Sequence, residues 1–582
     1  MTMMQRLRLT GACLALSAFA LNAVSALAAN AGKPSPTQRE TTLGAVLGAD
    51  DSASTGTYAW KGVPYAKPPV GALRWKAPVD AEAWTGTRNT QQFGNACASS
   101  GRLYGPGLNN RYDETIGTSY DKTVGSEDCL YLNIWRPATE AKNLPVIVWV
   151  HGGSNVTGYT ADPVYDGAAL ARTANVIVVS VNYRLGVLGF FRSPQLKTGN
   201  AVEDSGNFAL LDLIKSLQFV NRNITNFGGD AGNVTLMGQS AGSVNVWALI
   251  TSPLVVKAKP ALVHRLVPLS GGIARAEDVP PRVLPALVPA AMFETQSNLL
   301  LTHFVLADGL AKDKDAAQTY IASRTAEQNA TYLRSKSADA ILSAVLTTLK
   351  AANLGGSNPI PEGTVLPINP TQAIKAGEYL KVPVLVGNTR DEVKLFPSLL
   401  TLIGAPSGRL LTDPEAFAVA MKYDPNAAPA TKLTDWIPSS LLPTKTPNTG
   451  FNARTDLINA YWFIPGRDSA IAALKTHQDN IWVYRFDWDQ EPAPFNEIFG
   501  AAHGFDLPFL FGNFGPSTWS NFANSEANKP GRLELSNAMM KSLGAFALKG
   551  DPNDAALGVT WPAWPKVLLF NASRTAKAIT VQ

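Results

Sequence analysis

The sequence predicts an α/β fold in which a large, mainly parallel sheet carries helices on both faces. From about residue 145 onward, short runs rich in β-branched residues alternate with helical stretches, an order that is typical of parallel strands joined by helices. These runs are apolar throughout, as expected for strands that are buried on both sides. The predicted strands lie at 146–150, 176–179, 234–237, 266–269, 382–386 and 481–484.

Two regions interrupt this alternation with helix-favouring sequence, near 280–350 and 395–475. Insertions that follow the carboxyl ends of strands overhang the site of an open α/β sheet, so we predict that both regions form a cap over a substrate pocket. The alternative is that some of these helices only cover the outside. Because the strands run through almost the whole chain, residues 29–582 are predicted to form a single large domain.

The first 28 residues have the features of an export signal. Arg6 and Arg8 precede a short apolar stretch that ends in the small-residue sequence Ala26-Leu27-Ala28. The stretch contains Ser17 and lacks a stop-transfer flank, which favours a cleaved signal peptide, 1–28, over a permanent transmembrane helix. We therefore expect a secreted or periplasmic protein with no stable membrane insertion.

Composition excludes some classes of partner. The 582 residues are 46% hydrophobic and 16% charged, with a formal net charge of +5. Lysines and arginines are scattered among acids, so no nucleic-acid-binding surface is predicted. No close His or Cys spacing predicts a metal site, and neither a metal nor an organic cofactor is expected.

Cysteine usage agrees with export. Removal of Cys13 with the signal peptide leaves Cys97 and Cys129 in a compartment that permits disulfides, and we expect these two residues to pair.

The strongest local motif is Gly238-Gln239-Ser240-Ala241-Gly242, a G-x-S-x-G sequence. It directly follows the predicted strand that ends at Met237 and precedes a helical run that begins near Ser243. A strand, a sharp turn and a helix are what exposes a nucleophilic serine at the edge of an α/β sheet. Ser240 is therefore the predicted nucleophile.

A serine nucleophile needs a base, and the chain has five histidines. His503 lies late in the chain, in the small-residue loop Gly500–Gly504 that follows the last predicted strand, where the order serine, acid, histidine places the base. His151 precedes Gly152-Gly153 at a strand end, which suits a loop around an oxyanion hole. The remaining histidines are in positions typical of structural or solvated residues: His264, His303 and His477.

An acid is needed to orient the base, and two candidates follow the predicted strand 382–386. Asp391 and Glu392 are adjacent at the carboxyl end of this strand. Spacing alone does not choose between them.

These features resemble the type-B carboxylesterase family, whose members have the α/β-hydrolase fold. The resemblance spans roughly residues 40–570. It is carried, besides the serine motif, by the sequences Lys61–Ala66, Pro68–Gly71, Ser126–Asn133, Asn182–Gly186, Phe227–Asp230 and Gly550–Asn553. The resemblance implies that Glu392, not Asp391, is the acid, and it also implies a Cys97–Cys129 disulfide and an ion pair between Arg74 and Glu127.

The resemblance further implies an oxyanion hole formed by the backbone amides of Gly153, Ser154 and Ala241. Here the chain departs from the family, which usually has a third Gly or Ala and then an aromatic residue where this chain has Ser154-Asn155. Amides do not depend on side chains, so we expect the hole to be kept. We hypothesise that Ser154 and Asn155 make the acyl pocket more polar.

Two further departures concern charge and substrate. Gln239 stands where many relatives carry Glu, so one negative charge is absent. The segment between the cysteines has Tyr104, Tyr112 and Tyr120 but no Trp, whereas cholinesterases have their cation-binding tryptophan there. A choline ester is therefore not the expected substrate.

The predicted function is a serine carboxylesterase that hydrolyses small-molecule esters through an acyl-enzyme intermediate. A lipase, an amidase or a polyester hydrolase could use the same three residues, because fold and triad do not set the leaving group. A noncatalytic binding homologue is the remaining alternative, and the presence of all three residues argues against it.

Overall fold

The computed structural model describes residues 35–517 and 520–582, and the predicted signal peptide lies outside them. The strands within these ranges are β1 Gln38–Thr41, β2 Gly44–Leu47, β3 Ala49–Asp51, β4 Thr57–Pro64, β5 Thr87–Asn89, β6 Ser99–Ser100, β7 Thr123–Val124, β8 Tyr131–Pro137, β9 Leu144–Val150, β10 Ile177–Val181, β11 Gly229–Gln239, β12 Arg265–Leu269, β13 Val384–Thr389, β14 Ile481–Phe486, β15 Val567–Phe570 and β16 Thr580–Val581.

The α-helices of the same ranges are Ala168–Ala174, Gly186–Gly189, Phe208–Asn223, Ala241–Thr251, Pro253–Val256, Ala290–Ala307, Lys314–Ala322, Ala326–Arg334, Ala338–Ala344, Pro370–Lys375, Asp413–Lys422, Leu433–Trp436, Phe451–Tyr461, Phe463–Leu474, Phe495–Ile498, Leu507–Phe511, Ser520–Ala523 and Lys529–Lys549. None of the helices in the described ranges is both long and apolar enough to cross a membrane.

Eleven of these strands form one sheet in the order β16-β15-β14-β13-β12-β11-β9-β10-β8-β4-β3. The strands from β15 to β10 are parallel, and the pairs at both edges are antiparallel. All six predicted strands are present as β9 to β14, which confirms the α/β fold with a large, mainly parallel sheet. The antiparallel strands β4 and β8 were not predicted.

Strand β9 shows why the sheet needs helices on both faces. Every residue of β9 is buried. Because successive side chains of a strand point to opposite faces, Val146, Val148 and Val150 pack in one hydrophobic core, and Ile147 and Trp149 pack in another. Removal of both faces from water is what the continuous apolar runs in the sequence predict.

The two predicted insertions occupy different places. The helices between Ala290 and Ala344 pack in a third hydrophobic core that contains Trp75 and Phe191. The second region, 395–475, begins with residues that line the cavity described below. A cap function for the first region stays a prediction.

Two contacts implied by the family resemblance are present in the structure. Cys97 and Cys129 form a disulfide. The Arg74 guanidinium donates two hydrogen bonds to the Glu127 carboxylate, over 2.6 and 2.5 Å, and a third to the carbonyl of Arg334, over 3.1 Å. This buried ion pair therefore ties the helix Ala326–Arg334 to the loop at the disulfide.

Candidate active site

The three residues predicted to carry the chemistry follow strands at the carboxyl edge of the sheet. Ser240 directly follows β11, Glu392 follows β13, and His503 lies in the long loop after β14. Since β12 and β13 separate β11 from β14 in the sheet, loops of this length are needed to bring the three residues together. The carboxyl edge is where open α/β sheets hold their ligands.

Ser240 lies in a sharp turn between β11 and the helix Ala241–Thr251. Its backbone angles are φ 58° and ψ −124°, a strained conformation for a residue with a side chain. The Ser240 N–H donates to the carbonyl of Leu269 over 2.8 Å, which fixes the turn against β12. Gly242 allows the close approach of the helix, because a Cβ there would lie 2.2 Å from the carbonyl oxygen of Val150.

Glu392 and His503 are in direct contact. The Glu392 Oε2 atom lies 2.5 Å from Nδ1 of His503. The other carboxylate oxygen, Oε1, accepts hydrogen bonds from the Thr389 N–H, over 2.9 Å, and from Nδ2 of Asn388, over 3.1 Å. Glu392 is fully buried and His503 is 4% exposed, so the carboxylate is shielded from water while the imidazole reaches the cavity.

The environment of Glu392 keeps the group ionised. Burial alone would raise its pKa, but the adjacent His503 and the donated hydrogen bonds outweigh burial and lower the pKa below its usual value. An ionised carboxylate only accepts hydrogen bonds, so Nδ1 of His503 carries a proton, and in the neutral imidazole the lone pair is on Nε2. This tautomer is the one that a general base needs.

Asp391, the alternative acid, has different contacts. Its Oδ2 atom accepts hydrogen bonds from Arg390, over 2.8 Å, and from the Ala501 N–H, over 3.0 Å. Asp391 therefore anchors the loop that carries His503, while Glu392 contacts the imidazole.

The predicted oxyanion residues lie in the cavity of Ser240 or next to Ser240 in the chain. Gly153 and Ser154 line the same cavity as Ser240 and His503. Both have left-handed backbones, with φ 101° and 56°. Ala241 is the first residue of the helix after Ser240, and an N–H in that position has no acceptor within its own helix. The three amides are thus available in the neighbourhood of the nucleophile.

Asn155 does not fit the hypothesis of a more polar acyl pocket. It is fully buried, and its Oδ1 accepts a hydrogen bond from Nδ2 of Asn245 over 2.8 Å. Asn155 is absent from the cavity lining, whereas Ser154 belongs to it. The hypothesis is therefore wrong for Asn155, because the left-handed turn directs this side chain into the interior.

His151, predicted to belong to the oxyanion loop, is a buried structural residue of that loop. Its ring stacks on Tyr183, with centroids 4.6 Å apart, and its Nδ1 lies 2.9 Å from the Gly152 carbonyl oxygen. Burial lowers the pKa of His151 to about 4. At neutral pH the ring is uncharged and supports the loop by packing.

Ser240 and His503 open into a cavity of about 470 Å³, a size typical of sites for small molecules. Besides Gln239, Ser240 and the residues His503, Gly504 and Leu507, three parts of the chain line it: the segment between the cysteines, the oxyanion loop and its continuation to Tyr165, and the second insertion. Those linings are, in order, Arg102 and Tyr104; residues from 153 to 165; and residues of 395–398 and 407–413. Tyr112 and Tyr120 do not line the cavity.

Charged groups of both signs face this cavity. Arg409 pairs with Asp413 over 3.1 Å. Burial raises the pKa of Asp162 to about 6, and Arg102 lies exposed at the rim.

No set of three or more His, Cys, Asp or Glu side chains in the described ranges is arranged to hold a metal ion.

One contact in the site was not predicted. The Nε2 atom of Gln239 lies 2.9 Å from Nε2 of His503. The sequence showed Gln239 only as a missing negative charge, because a motif does not reveal where the side chain before a nucleophile points.

A β-strand–serine–helix turn with a buried Glu–His pair at the carboxyl edge of a mixed sheet defines a serine hydrolase of the α/β-hydrolase fold. Comparison with known proteins agrees. Residues 35–578 match the model of the carboxylesterase family. A thermophilic para-nitrobenzyl esterase structure superposes with a TM-score of 0.69 at 27% identity, covering 94% of this chain and 98% of that chain.

Two related proteins are both named as esterases. The para-nitrobenzyl esterase of Bacillus subtilis is 32% identical over 515 residues, which cover 88% of this chain and 90% of the relative. The fumonisin B1 esterase of Sphingopyxis macrogoltabida is 32% identical over 530 residues, covering 91% and 84%. The chain belongs to the carboxylesterase family, and it is a serine carboxylesterase.

Proposed function

We propose that Ser240, His503 and Glu392 form the catalytic triad of this carboxylesterase. The observation that carries the proposal is the 2.5 Å contact between Glu392 and Nδ1 of His503, made inside a cavity that Ser240 also lines. The carboxylate holds the imidazole in the neutral tautomer that has its lone pair on Nε2. His503 is thereby prepared to accept the hydroxyl proton of Ser240.

In the proposed reaction, the Ser240 oxygen attacks the ester carbonyl carbon as Nε2 of His503 takes the hydroxyl proton. Collapse of the tetrahedral intermediate breaks the ester bond, and the imidazolium gives its proton to the departing alcohol. A water molecule then repeats the sequence on the acyl-enzyme and releases the acid. The Glu392 carboxylate stabilises the imidazolium in both halves.

The proposed oxyanion hole consists of the N–H groups of Gly153, Ser154 and Ala241. Two of these amides belong to the successive residues Gly153 and Ser154, which have positive φ angles and line the cavity, and successive amides in such turns form sites for negative charge. The third stands at a helix start, where the helix dipole favours negative charge. Loss of one donor from such a hole typically costs about 100- to 1000-fold in rate.

The proposed substrates are small-molecule esters. A cavity of about 470 Å³ accommodates an acyl group and a modest alcohol, and its mixed lining offers arginine, aspartate, serine and tyrosine as polar partners beside apolar side chains. A lipase would need a large apolar entrance, and the charged rim argues against that alternative. Amide and polyester hydrolysis use the same residues and are distinguished by assay.

We assign the protein to an exported location. The predicted signal peptide lies outside the described residues, and the Cys97–Cys129 disulfide supports the assignment because such bonds persist in oxidising compartments.

Hydrolysis of a para-nitrophenyl ester series, from acetate to long-chain acyl groups, tests the proposed function. The wild type is compared with Ser240→Ala and with Ser52→Ala, a matched change at an exposed serine remote from the cavity. We expect short-chain turnover that Ser240→Ala abolishes and Ser52→Ala retains. Equal activity in Ser240→Ala and the wild type would contradict the proposal, and preference for the longest acyl chains would favour a lipase.

A further inference from the structure

The contact between Gln239 and His503 engages the atom on which the proposed mechanism depends. Nδ1 of His503 donates a hydrogen bond to Glu392, so in the neutral imidazole Nε2 is the acceptor in the 2.9 Å contact with Gln239, and the Gln239 amide is the donor. Nε2 has a single lone pair. The hydroxyl of Ser240 must use the same lone pair to lose its proton, so the two donors compete for it.

The Gln239 side chain is held in this place by the surrounding backbone. Gln239 is 4% exposed. A Cβ at Gly152 would lie 2.9 Å from Oε1 of Gln239, and a Cβ at Gly504 would lie 3.5 Å from its Nε2. The missing side chain at Gly152 therefore leaves the space that the amide oxygen occupies. The amide oxygen thus lies toward Gly152, and the NH2 group lies toward Gly504 and the imidazole.

We propose that Gln239 is a positioning residue that keeps the imidazole of His503 unprotonated in the free enzyme. The inference rests on the proposed role of His503 as the base. A protonated imidazole has an N–H at Nε2, which would meet the N–H of the Gln239 amide and lose the hydrogen bond. A carboxylate in the same place would instead accept from that N–H and stabilise the protonated, inactive form. Gln239 thus extends activity toward acidic pH.

The other groups that face His503 do not supply this effect. Glu392 contacts Nδ1, and its charge favours the protonated ring. Asp506, whose pKa burial raises to about 6, also interacts electrostatically with His503. The rings of Phe396 and Phe463 lie against the imidazole, with centroids 5.1 and 5.0 Å away, and carry no charge. Gln239 is the group that opposes protonation through a direct hydrogen bond at Nε2.

The experiment compares the pH dependence of kcat/KM for the wild type, Gln239→Glu and Gln239→Met. Gln218→Glu is the matched control, because it makes the same change at an exposed helix position outside the cavity. A buried, charge-assisted hydrogen bond corresponds to about one pH unit or more. We expect the acid limb of Gln239→Glu to move upward by about one unit, an approximately tenfold loss of kcat/KM below the limb, and that of Gln239→Met to move less.

A Gln239→Glu acid limb that coincides with the wild type, or a Gln239→Met shift as large as that of Gln239→Glu, would overturn the inference. Asp506→Asn is added to the wild type and to Gln239→Glu to check that the shift does not come from Asp506. The difference in acid limb between these two enzymes must persist without the Asp506 carboxyl group.

If the Gln239→Glu enzyme is inactive at every pH, the protonation of His503 is measured directly by NMR. The chain has five histidines, so carbon-13 labelling of the imidazoles gives few NMR signals. The signal of His503 is assigned as the one that is lost in a His503→Asn sample. In a Ser240→Ala background, the midpoint of His503 protonation must lie about one pH unit higher with Gln239→Glu than with Gln239, and equal midpoints would overturn the inference. Activity of Ser240→Ala itself would refute the proposed triad instead, so the two failures are distinguishable.

Discussion

Replacement of Glu392 by glutamine changes one atom in the site and is expected to stop catalysis. Oε1 of Glu392 accepts from the Thr389 N–H and from Asn388, so the glutamine carbonyl oxygen must remain there. Its NH2 group then faces Nδ1 of His503, where Oε2 now lies at 2.5 Å. A donor in that place favours the tautomer with a proton on Nε2, and this tautomer cannot accept the Ser240 proton.

The expected loss in kcat for Glu392→Gln is about 10⁴-fold, as when the acid of a serine triad is converted to its amide. This loss corresponds to about 5 kcal/mol of transition-state stabilisation. The assay is para-nitrophenyl acetate hydrolysis at pH 8, with urea unfolding of both proteins to show that the variant is folded.

Glu491→Gln is the matched control. Glu491 is 2% exposed, and its carboxylate oxygens have no hydrogen-bond partner within the part of the chain that the structure describes. The same neutral substitution at a second buried glutamate should therefore retain most activity. A Glu392→Gln enzyme within about tenfold of the wild type would refute the assignment of the acid.

Three further substitutions test stability and backbone roles. Cys97→Ser combined with Cys129→Ser opens a disulfide that spans 32 residues, and we expect urea unfolding to show a loss of about 3 to 4 kcal/mol. Ser154→Gly keeps the N–H and relieves a residue at φ 56°, so kcat/KM should fall far less than the ~100-fold expected for a lost oxyanion donor. Burial raises the pKa of Asp506 to about 6, above the unfolded value near 4, so the carboxyl group costs increasing stability as pH rises from 4 to 6. Asp506→Asn keeps an acceptor for the Tyr484 hydroxyl and should be more stable at pH 8, by roughly 3 kcal/mol at most.

Each of the three has a result that would count against it. Equal unfolding midpoints with and without the disulfide would show that its loop is already constrained in the unfolded chain. A 100-fold drop for Ser154→Gly would place the serine hydroxyl itself in the reaction. Asp506→Asn should match the wild type near pH 4, where the carboxyl group is protonated when folded, and a stability gain that is the same at every pH would exclude titration as its cause.

The central sheet could be predicted from sequence because burial on both faces leaves a simple pattern. Each of β9 to β14 begins or ends within a few residues of its predicted position, since a parallel strand between two helical layers must be apolar throughout. The antiparallel strands β4 and β8 carry mixed residues, such as Lys61 and Arg136, and this pattern resembles that of loops. Their pairing depends on partners distant in sequence.

The sequence allows a prediction of those site residues whose chemistry requires a recognisable motif or a fixed place after a strand. Ser240 and His503 were predicted from their positions after strands, whereas the preference for Glu392 over Asp391 came from a family resemblance, because both acids follow β13. The orientations of Asn155 and Gln239 could not be predicted, since each is set by left-handed or strained backbone angles at Ser154, Asn155 and Ser240. Such angles direct neighbouring side chains to unexpected sides, and only the folded backbone shows them.

The identity of the nucleophile is the central claim, and covalent labelling measures it most directly. The purified protein is treated with a fluorophosphonate, which reacts with activated serines, and the modified peptide is identified by mass spectrometry. We expect one adduct per chain, on Ser240, and none in the Ser240→Ala or His503→Ala variants. An adduct on another serine, or undiminished labelling of Ser240→Ala, would contradict the proposed mechanism.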